Sequence, residues 1–213
     1  MFHFLILPRV IPPLKVDDLA SLRILLRGDK VRAEKVIRGL HEDAKVLRKE
    51  IEDEMLKRYG WKWDIWCGFH AAPSMQHLHL HVLSADLVSE KMKNKKHYNS
   101  FHPKVGFFLD VNEVLSWFSA ESSYFTSMAK LDPKPYEALL KEALSCWHCD
   151  SEMKNMPTLK AHLQEEWDHQ ATREKARLER KRKLEAKRAT KEDTPEPEAK
   201  KLKRDDIGET DAS

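Results

Sequence analysis

The hydrophobic period changes several times along the chain, and each change marks an element. Phe2 to Leu7 is apolar and β-prone and stops at Pro8, so it reads as a strand. Two prolines within residues 11–15 make a turn. Asp17 or Asp18 can then cap a short helix over roughly residues 18–27, ended by Gly28 and Asp29. From Val31 to Tyr59 the positions Ala33, Val36, Leu40, Ala44, Leu47, Ile51 and Met55 recur in steps of three and four, the spacing of one face of a long amphipathic helix. Gly60 closes it. The period then drops to two. Trp63–Phe69 and His77–Leu83 read as strands, joined through the Pro73-Ser74 turn into an antiparallel hairpin.

Residues 91–104 have no clear period and read as a loop, followed by a short strand over 105–109 and a helix over 110–119. Residues 119–123 form a junction, and residues 134–144 read as a helix. A last helix starts near Pro157 and runs as a charged rod to about residue 190. The remainder lacks aromatic residues and reads as disordered. The fold class is α+β. The organisation is a sheet-and-helix domain over 1–120, a small module over 121–170 and a basic tail over 171–213.

Composition narrows the class. Of 213 residues, 41% are hydrophobic and 34% charged, as in a soluble globular chain with a polar extension. No window approaches the ~18 consecutive apolar residues of a membrane span, so no membrane association is expected. Phe4 to Leu7 is too short for a signal-peptide core and has no basic region before it. Three cysteines, two of them in a C-x-x-C pair, argue against a disulfide framework and for a reducing compartment. The net charge of +3 hides clusters: residues 91–104 hold five lysines and no acid, and residues 173–188 hold nine basic residues and three acids. Such clusters point to a polyanion partner.

The sharpest motif is His77-Leu78-His79-Leu80-His81-Val82-Leu83. On a strand the three histidines share one face, stepped about 7 Å apart, and the apolar residues share the other, which packs on the core. An imidazole row admits three readings: a metal site, a structural polar face, or phosphoryl chemistry in which one ring attacks phosphorus while its neighbours hold the oxyanion and leaving group. Only Asp86 could add a carboxylate to a metal centre, and a lysine-rich loop follows. Further along, Cys146-Trp-His-Cys149 and, after twelve residues, His162 follow the spacing of a zinc finger. The fourth ligand is open between Glu166, one helical turn beyond His162, and His169. The site is closed and structural, with one zinc per chain.

The H-L-H-L-H-V-L strand resembles the histidine triad motif. The run GFHAAPSMQHLHLHVLSADL, the later KNKKHYNSF and the cysteine–histidine pattern, in that order over roughly residues 1–170, resemble the aprataxin family in particular. The resemblance implies a histidine triad fold and a hydrolase that removes AMP from 5′-adenylated DNA ends, the products of abortive ligation, in single-strand break repair. It implies His79 as the nucleophile and a transient histidine–AMP adduct. His77 and His81 would flank the phosphate, His70 would contact it, and His3 would protonate the leaving group. Ser74 and Met75 would meet phosphate and DNA end, and Lys95 and Lys96 the DNA strand. It favours Glu166 over His169 on zinc.

Cationic imidazoles and lysines would then stabilise charge without a catalytic metal. DNA is the expected partner and AMP the product. Lys200-Lys201-Leu202-Lys203-Arg204 resembles a nuclear localisation signal, so the nucleus is the expected compartment. Aprataxins carry more chain before HFLILP, including an adenosine-holding segment, so this sequence is expected to be an N-terminally shortened member with an open sheet edge there. Two rivals remain: a histidine triad hydrolase of small nucleoside phosphoramidates or dinucleotides, and a non-catalytic DNA-break-binding module.

Overall fold

Residues 1–192 are described in the computed structural model, with side chains through 188. The chain separates into two compact units, Met1–Glu174 and Lys175–Ser213. The expected disordered remainder and the Lys200–Arg204 signal lie outside the described residues.

The first unit is built on a four-stranded antiparallel sheet. Its strands are β1 (His3–Ile6), β2 (Ile65–His70), β3 (Leu80–Ser84) and β4 (Phe108–Asp110), in the order β1-β3-β2-β4. β1 forms one edge, where Phe4 and Leu5 stay exposed. Pairing sets Leu5 and Gly68 on either side of His81, Leu83 opposite His3 and Trp66, and Phe108 opposite His70. Strand alternation therefore puts His3, His70, His81, Leu83, Gly68 and Phe108 on one face. The other face, with Leu80, Val82, Ile65 and Phe69, is buried, and the long helix α2 (Lys30–Tyr59) runs across the sheet.

Helix α2 forms as its periodicity predicts. Asp29 caps it by accepting from the Arg32 amide, and Gly60 ends it at φ 76°, the left-handed conformation glycine takes without strain. Its buried stripe is Ala33, Ile37, Leu40, Ala44, Ile51 and Met55, with Ile37 in place of the expected Val36. The expected 18–27 helix is broken. A single 3-10 turn covers Asp17–Leu19, and α1 (Leu22–Arg27) restarts where the extended Ser21 caps the Ile24 amide.

Four other elements differ from expectation. The histidine strand is regular only from Leu80, because His77 sits at φ 79° and the amides of His77 and Leu78 donate to Ala20 and Leu19 carbonyls instead of to a sheet neighbour. Within the supposed loop 91–104, Asn94 caps a short helix, α3 (Lys95–Asn99). The 119–123 junction leads directly into α5 (Ser122–Met128), which follows α4 (Val111–Ser119). After it, α6 covers Pro133–Leu139, shorter than expected, because the chain turns into strand β5 at Leu144.

β5 (Leu144–Ser145) and β6 (Glu152–Met153) form a two-stranded knuckle ahead of α7 (Met156–Glu192). Leu144, Cys146, Leu159 and Leu163 share one buried cluster with Leu83, Phe101 and Phe108 from the sheet side. The knuckle thus packs on the face that carries the histidines. In residues 175–192, part of the second unit, the helix carries ion pairs one turn apart, Lys183–Glu179 at 2.6 Å and Lys181–Glu185 at 3.8 Å. Among the described residues no helix is long and apolar enough to cross a membrane.

Gly68 decides how closely the rings on that face approach. A Cβ there would lie 2.5 Å from the Leu109 carbonyl oxygen and 2.6 Å from the Phe108 ring. Gly68→Ala is expected to destabilise the chain by roughly 1–3 kcal/mol, as overpacked core positions do. Urea unfolding checks this, and a midpoint equal to that of the parent chain counts against it.

Candidate active site

Four of the five expected histidines come together. His81, in the middle of β3, is the hub. Its Nδ1 lies 2.9 Å from His3 Nε2, and its ring centroid lies 4.2 Å from His70 and 4.9 Å from His79. His77 stands apart, its Nε2–H donating to the Pro8 carbonyl at 3.0 Å. The expectation of three rings stepped along one strand face is corrected here: the left-handed backbone at His77 takes that residue out of the row.

Two residues that sequence reasoning gave no role complete the cluster. Phe101 packs its ring 4.7 Å from His70, 5.1 Å from His3 and 5.2 Å from His81, and 5.5 Å from His97 on α3. Their only trace in the sequence is the KNKKHYNSF run, where period alone indicates a loop.

His79 is oriented by a single hydrogen bond. A carbonyl oxygen can only accept, so His79 Nδ1–H donates to the His77 carbonyl at 2.9 Å, and the lone pair stands on Nε2. Burial pushes His81 down to about 2 and His70 to about 3, and the charges of neighbouring histidines push the same way. His3 is lowered too, by burial and then by His97 and His79. The expected row of cationic imidazoles is therefore corrected for these three rings: clustered and desolvated, they stay neutral. The Nε2 atoms of His70 and His81 are buried with no protein partner. An imidazole oriented in this way beside unpartnered ring nitrogens suits nucleophilic attack on an anionic centre.

Ser21, Pro73 and His77 line a small cleft of about 10 Å³ against His70 and His79. A larger cavity, about 300 Å³, lies beside α7 among Trp63, Asp86, Trp147 and Trp167, and contains none of the clustered histidines. The chemistry, not the volume, locates the site. Ser74 and Met75 are exposed on the turn that follows His70. Lys95 and Lys96 begin α3, where the Lys95 ammonium donates to the Lys141 carbonyl at 2.8 Å and Lys96 is exposed.

A second cluster sits in the knuckle. The donor atoms of Cys146, Cys149 and His162 all lie within 4.8 Å of one another, with Cys149 Sγ 3.2 Å from His162 Nε2. That spread fits a tetrahedral ion with metal–sulfur bonds near 2.3 Å and metal–nitrogen bonds of roughly 2.0 Å. Ser151, hydrogen-bonded to Cys149, holds its thiol down at about 7, so the ligand-competent thiolate is accessible near neutrality. A Glu166 oxygen lies 3.8 Å from His162 Nε2, and Glu166 also pairs with His148 at 3.7 Å. His169 is exposed.

Fold and site together define a histidine triad domain joined to a zinc-binding type of finger. Residues 104–169 match the family described as C2HE / C2H2 / C2HC zinc-binding finger, and residues 2–97 match scavenger mRNA decapping enzyme C-term binding. Aprataxin of Gallus gallus is 37% identical over 78% of this chain, and the aprataxin-like protein of Drosophila melanogaster 33% identical over 76%. The chain spans 45% and 21% of the lengths of those two relatives. The crystal structure of the aprataxin ortholog Hnt3 from Schizosaccharomyces pombe is similar at a TM-score of 0.53 and 31% identity, covering 81% of this chain and 78% of that one. Hnt3 in complex with DNA and guanosine is similar at 0.57 and 29%, covering 81% and 80%. The chain belongs to the aprataxin family.

The depressed imidazoles fix the sign of a pH effect. The unfolded chain binds protons at His70 and His81 near pH 6.5, and the folded chain only near 3 and 2. Their contribution to stability is complete above about 6.5 and is lost as pH falls, by at most about 1.4 kcal/mol per pH unit for each ring. Thermal unfolding between pH 7 and 5 is expected to show a falling midpoint, with a shallower slope in His70→Asn. Parallel slopes for the two proteins would show that His70 is not held neutral.

Proposed function

We propose that this chain hydrolyses the phosphoanhydride of 5′-adenylated DNA, releasing AMP and a normal 5′-phosphate end. The observation that carries the reading is the His79 Nδ1–H bond to the His77 carbonyl, which presents the Nε2 lone pair within the histidine cluster. Nε2 attacks the adenylyl phosphorus. The bond from that phosphorus to the bridging oxygen breaks, and the electron pair leaves on the DNA 5′-phosphate. The product is a histidine–AMP phosphoramidate. Water then attacks the same phosphorus and releases a proton to solvent, the P–N electron pair returns to Nε2, and AMP leaves with His79 restored.

The unpartnered Nε2 atoms of His70 and His81 are available to the adenylyl oxygens, with His77 at the cleft wall. We assign to His3, in contact with His81 Nδ1, a hydrogen bond to the leaving phosphate, which departs as an anion and needs no proton from a ring held neutral by burial. Ser74, Met75 and Lys96 stand exposed where a nucleic-acid end could meet them. DNA as partner draws support from the DNA held by the similar Hnt3 structure. We assign repair of abortive ligation ends in the nucleus as the setting. The finger would hold one zinc through Cys146, Cys149, His162 and Glu166, and the ion would supply structural rigidity to the knuckle.

A second reading, hydrolysis of small nucleotides, draws on the decapping-enzyme match over residues 2–97. Comparing turnover of adenylated DNA with that of a dinucleotide separates the two.

His79→Ala is expected to abolish AMP release, at least about 10³-fold, and to leave DNA binding nearly intact. Acid quench with labelled AMP should trap protein-bound label in the parent chain. Substantial turnover by the variant, or no bound label at any quench time, would end the covalent reading. For the finger, metal analysis of Cys149→Ser should find zinc lost, against one equivalent in the parent. A full equivalent retained would move the ion elsewhere.

A further inference from the structure

Helix α3 has two sides with different neighbours. On one side it grips the finger. The Tyr98 hydroxyl donates to the Ser145 carbonyl at 2.9 Å and accepts from the Trp147 amide at 3.2 Å. Those two residues flank Cys146, so one fully buried hydroxyl holds the backbone on both sides of a metal-cluster cysteine. Asn99 donates to the carbonyls of Leu140 and Glu142 at 3.3 and 3.0 Å, and Lys95 to that of Lys141 at 2.8 Å. The segment leading into the knuckle is therefore held at five points by three side chains of a single short helix.

The other side meets the histidines. His97 packs on Phe101, whose amide donates to the Tyr98 carbonyl at 3.0 Å, and the Phe101 ring touches His3, His70 and His81. Ser100, between them, offers His70 a backbone hydrogen bond. A helix of five residues has no stability of its own in water. Its position is whatever its side-chain partners impose, and its heaviest polar partners are finger backbone.

We propose that α3 is a positioning strut, through which the cysteine loop of the finger sets Phe101 and His97 against the histidine cluster, with Tyr98 as the positioning residue. The finger is then a part of the reaction centre's support as well as a grip for nucleic acid. The kinetic consequence rests on the hydrolase reading given above; the structural coupling does not.

The test uses the full chain and Tyr98→Phe, which keeps the buried ring and removes only the hydroxyl. Zinc content is measured first and is expected to match the parent. Imidazole ¹H–¹⁵N spectra are then recorded as a function of pH. The His70 and His81 signals are expected to move, and their titration to return toward the ordinary range as the packing around Phe101 loosens. With adenylated DNA and with a small adenylyl nucleotide, kcat should fall about tenfold for both while the KM for DNA changes by less than about twofold. Phe101→Leu, which leaves the Tyr98 hydroxyl free to make its bonds to Ser145 and Trp147, should move the same imidazole signals.

Unchanged His70 and His81 spectra in Tyr98→Phe overturn the strut. So does a loss confined to the KM for DNA, which is the behaviour of an independent grip. If the parent chain turns over neither substrate, the hydrolase reading fails, and the spectra still decide the coupling.

Discussion

Burial of imidazole rings around one phenylalanine is the constraint on which the rest of the structure depends. Phe101 contacts His3, His70, His81 and His97, and by excluding water it keeps His3, His70 and His81 neutral. Neutral rings can share protons, as His3 and His81 do at 2.9 Å, and can crowd without the repulsion that several imidazolium charges would impose. Close approach then demands that neighbouring backbone yield. Gly68, directly opposite His81, yields by having no side chain where Phe108 lies. A polar cluster so enclosed has strong interactions when its atoms are partnered and large penalties when they are not, and two ring nitrogens are left without partners.

The second dependence is the shared core. The finger contributes Leu144, Cys146, Leu159 and Leu163 to the same buried cluster as Leu83, Phe101 and Phe108. A knuckle with two-residue strands has too little apolar area to fold alone, so it borrows from the sheet and from its ligand cluster. In exchange it covers the part of the histidine face that the strands leave open. This arrangement explains why α3, with no capacity to stand alone, is nonetheless well packed: it fills the seam between the two.

The placement of polar groups follows from the same economy. His77, freed from the strand by its left-handed backbone, gives its carbonyl to His79 and its ring to the Pro8 carbonyl. One residue thereby fixes the tautomer of the next imidazole and closes the cleft against the 8–20 segment, whose Ala20 carbonyl accepts the His77 amide. The basic α3 is used in a similar double way, since the Lys95 ammonium is spent on a finger carbonyl and Lys96 remains exposed to solvent.

Much of this was legible in the residues alone. The long helix announces itself by a 3.6 period and a glycine end, the hairpin by alternation, and the knuckle by cysteine spacing, because each is a local pattern with a local physical cause. The resemblance carried by H-L-H-L-H and KNKKHYNSF gave the family. Tertiary structure decided what depends on partners far along the chain. The strand loses His77 because residues 19 and 20 claim its neighbouring amides. Residues 95–99 become helical because the finger's carbonyls hold their side chains. Phe101 and His97 join the cluster because the sheet brings residues 3, 70 and 81 beneath them. No window of sequence contains those contacts: desolvation, ring packing and hydrogen-bond partnership are properties of the assembled core.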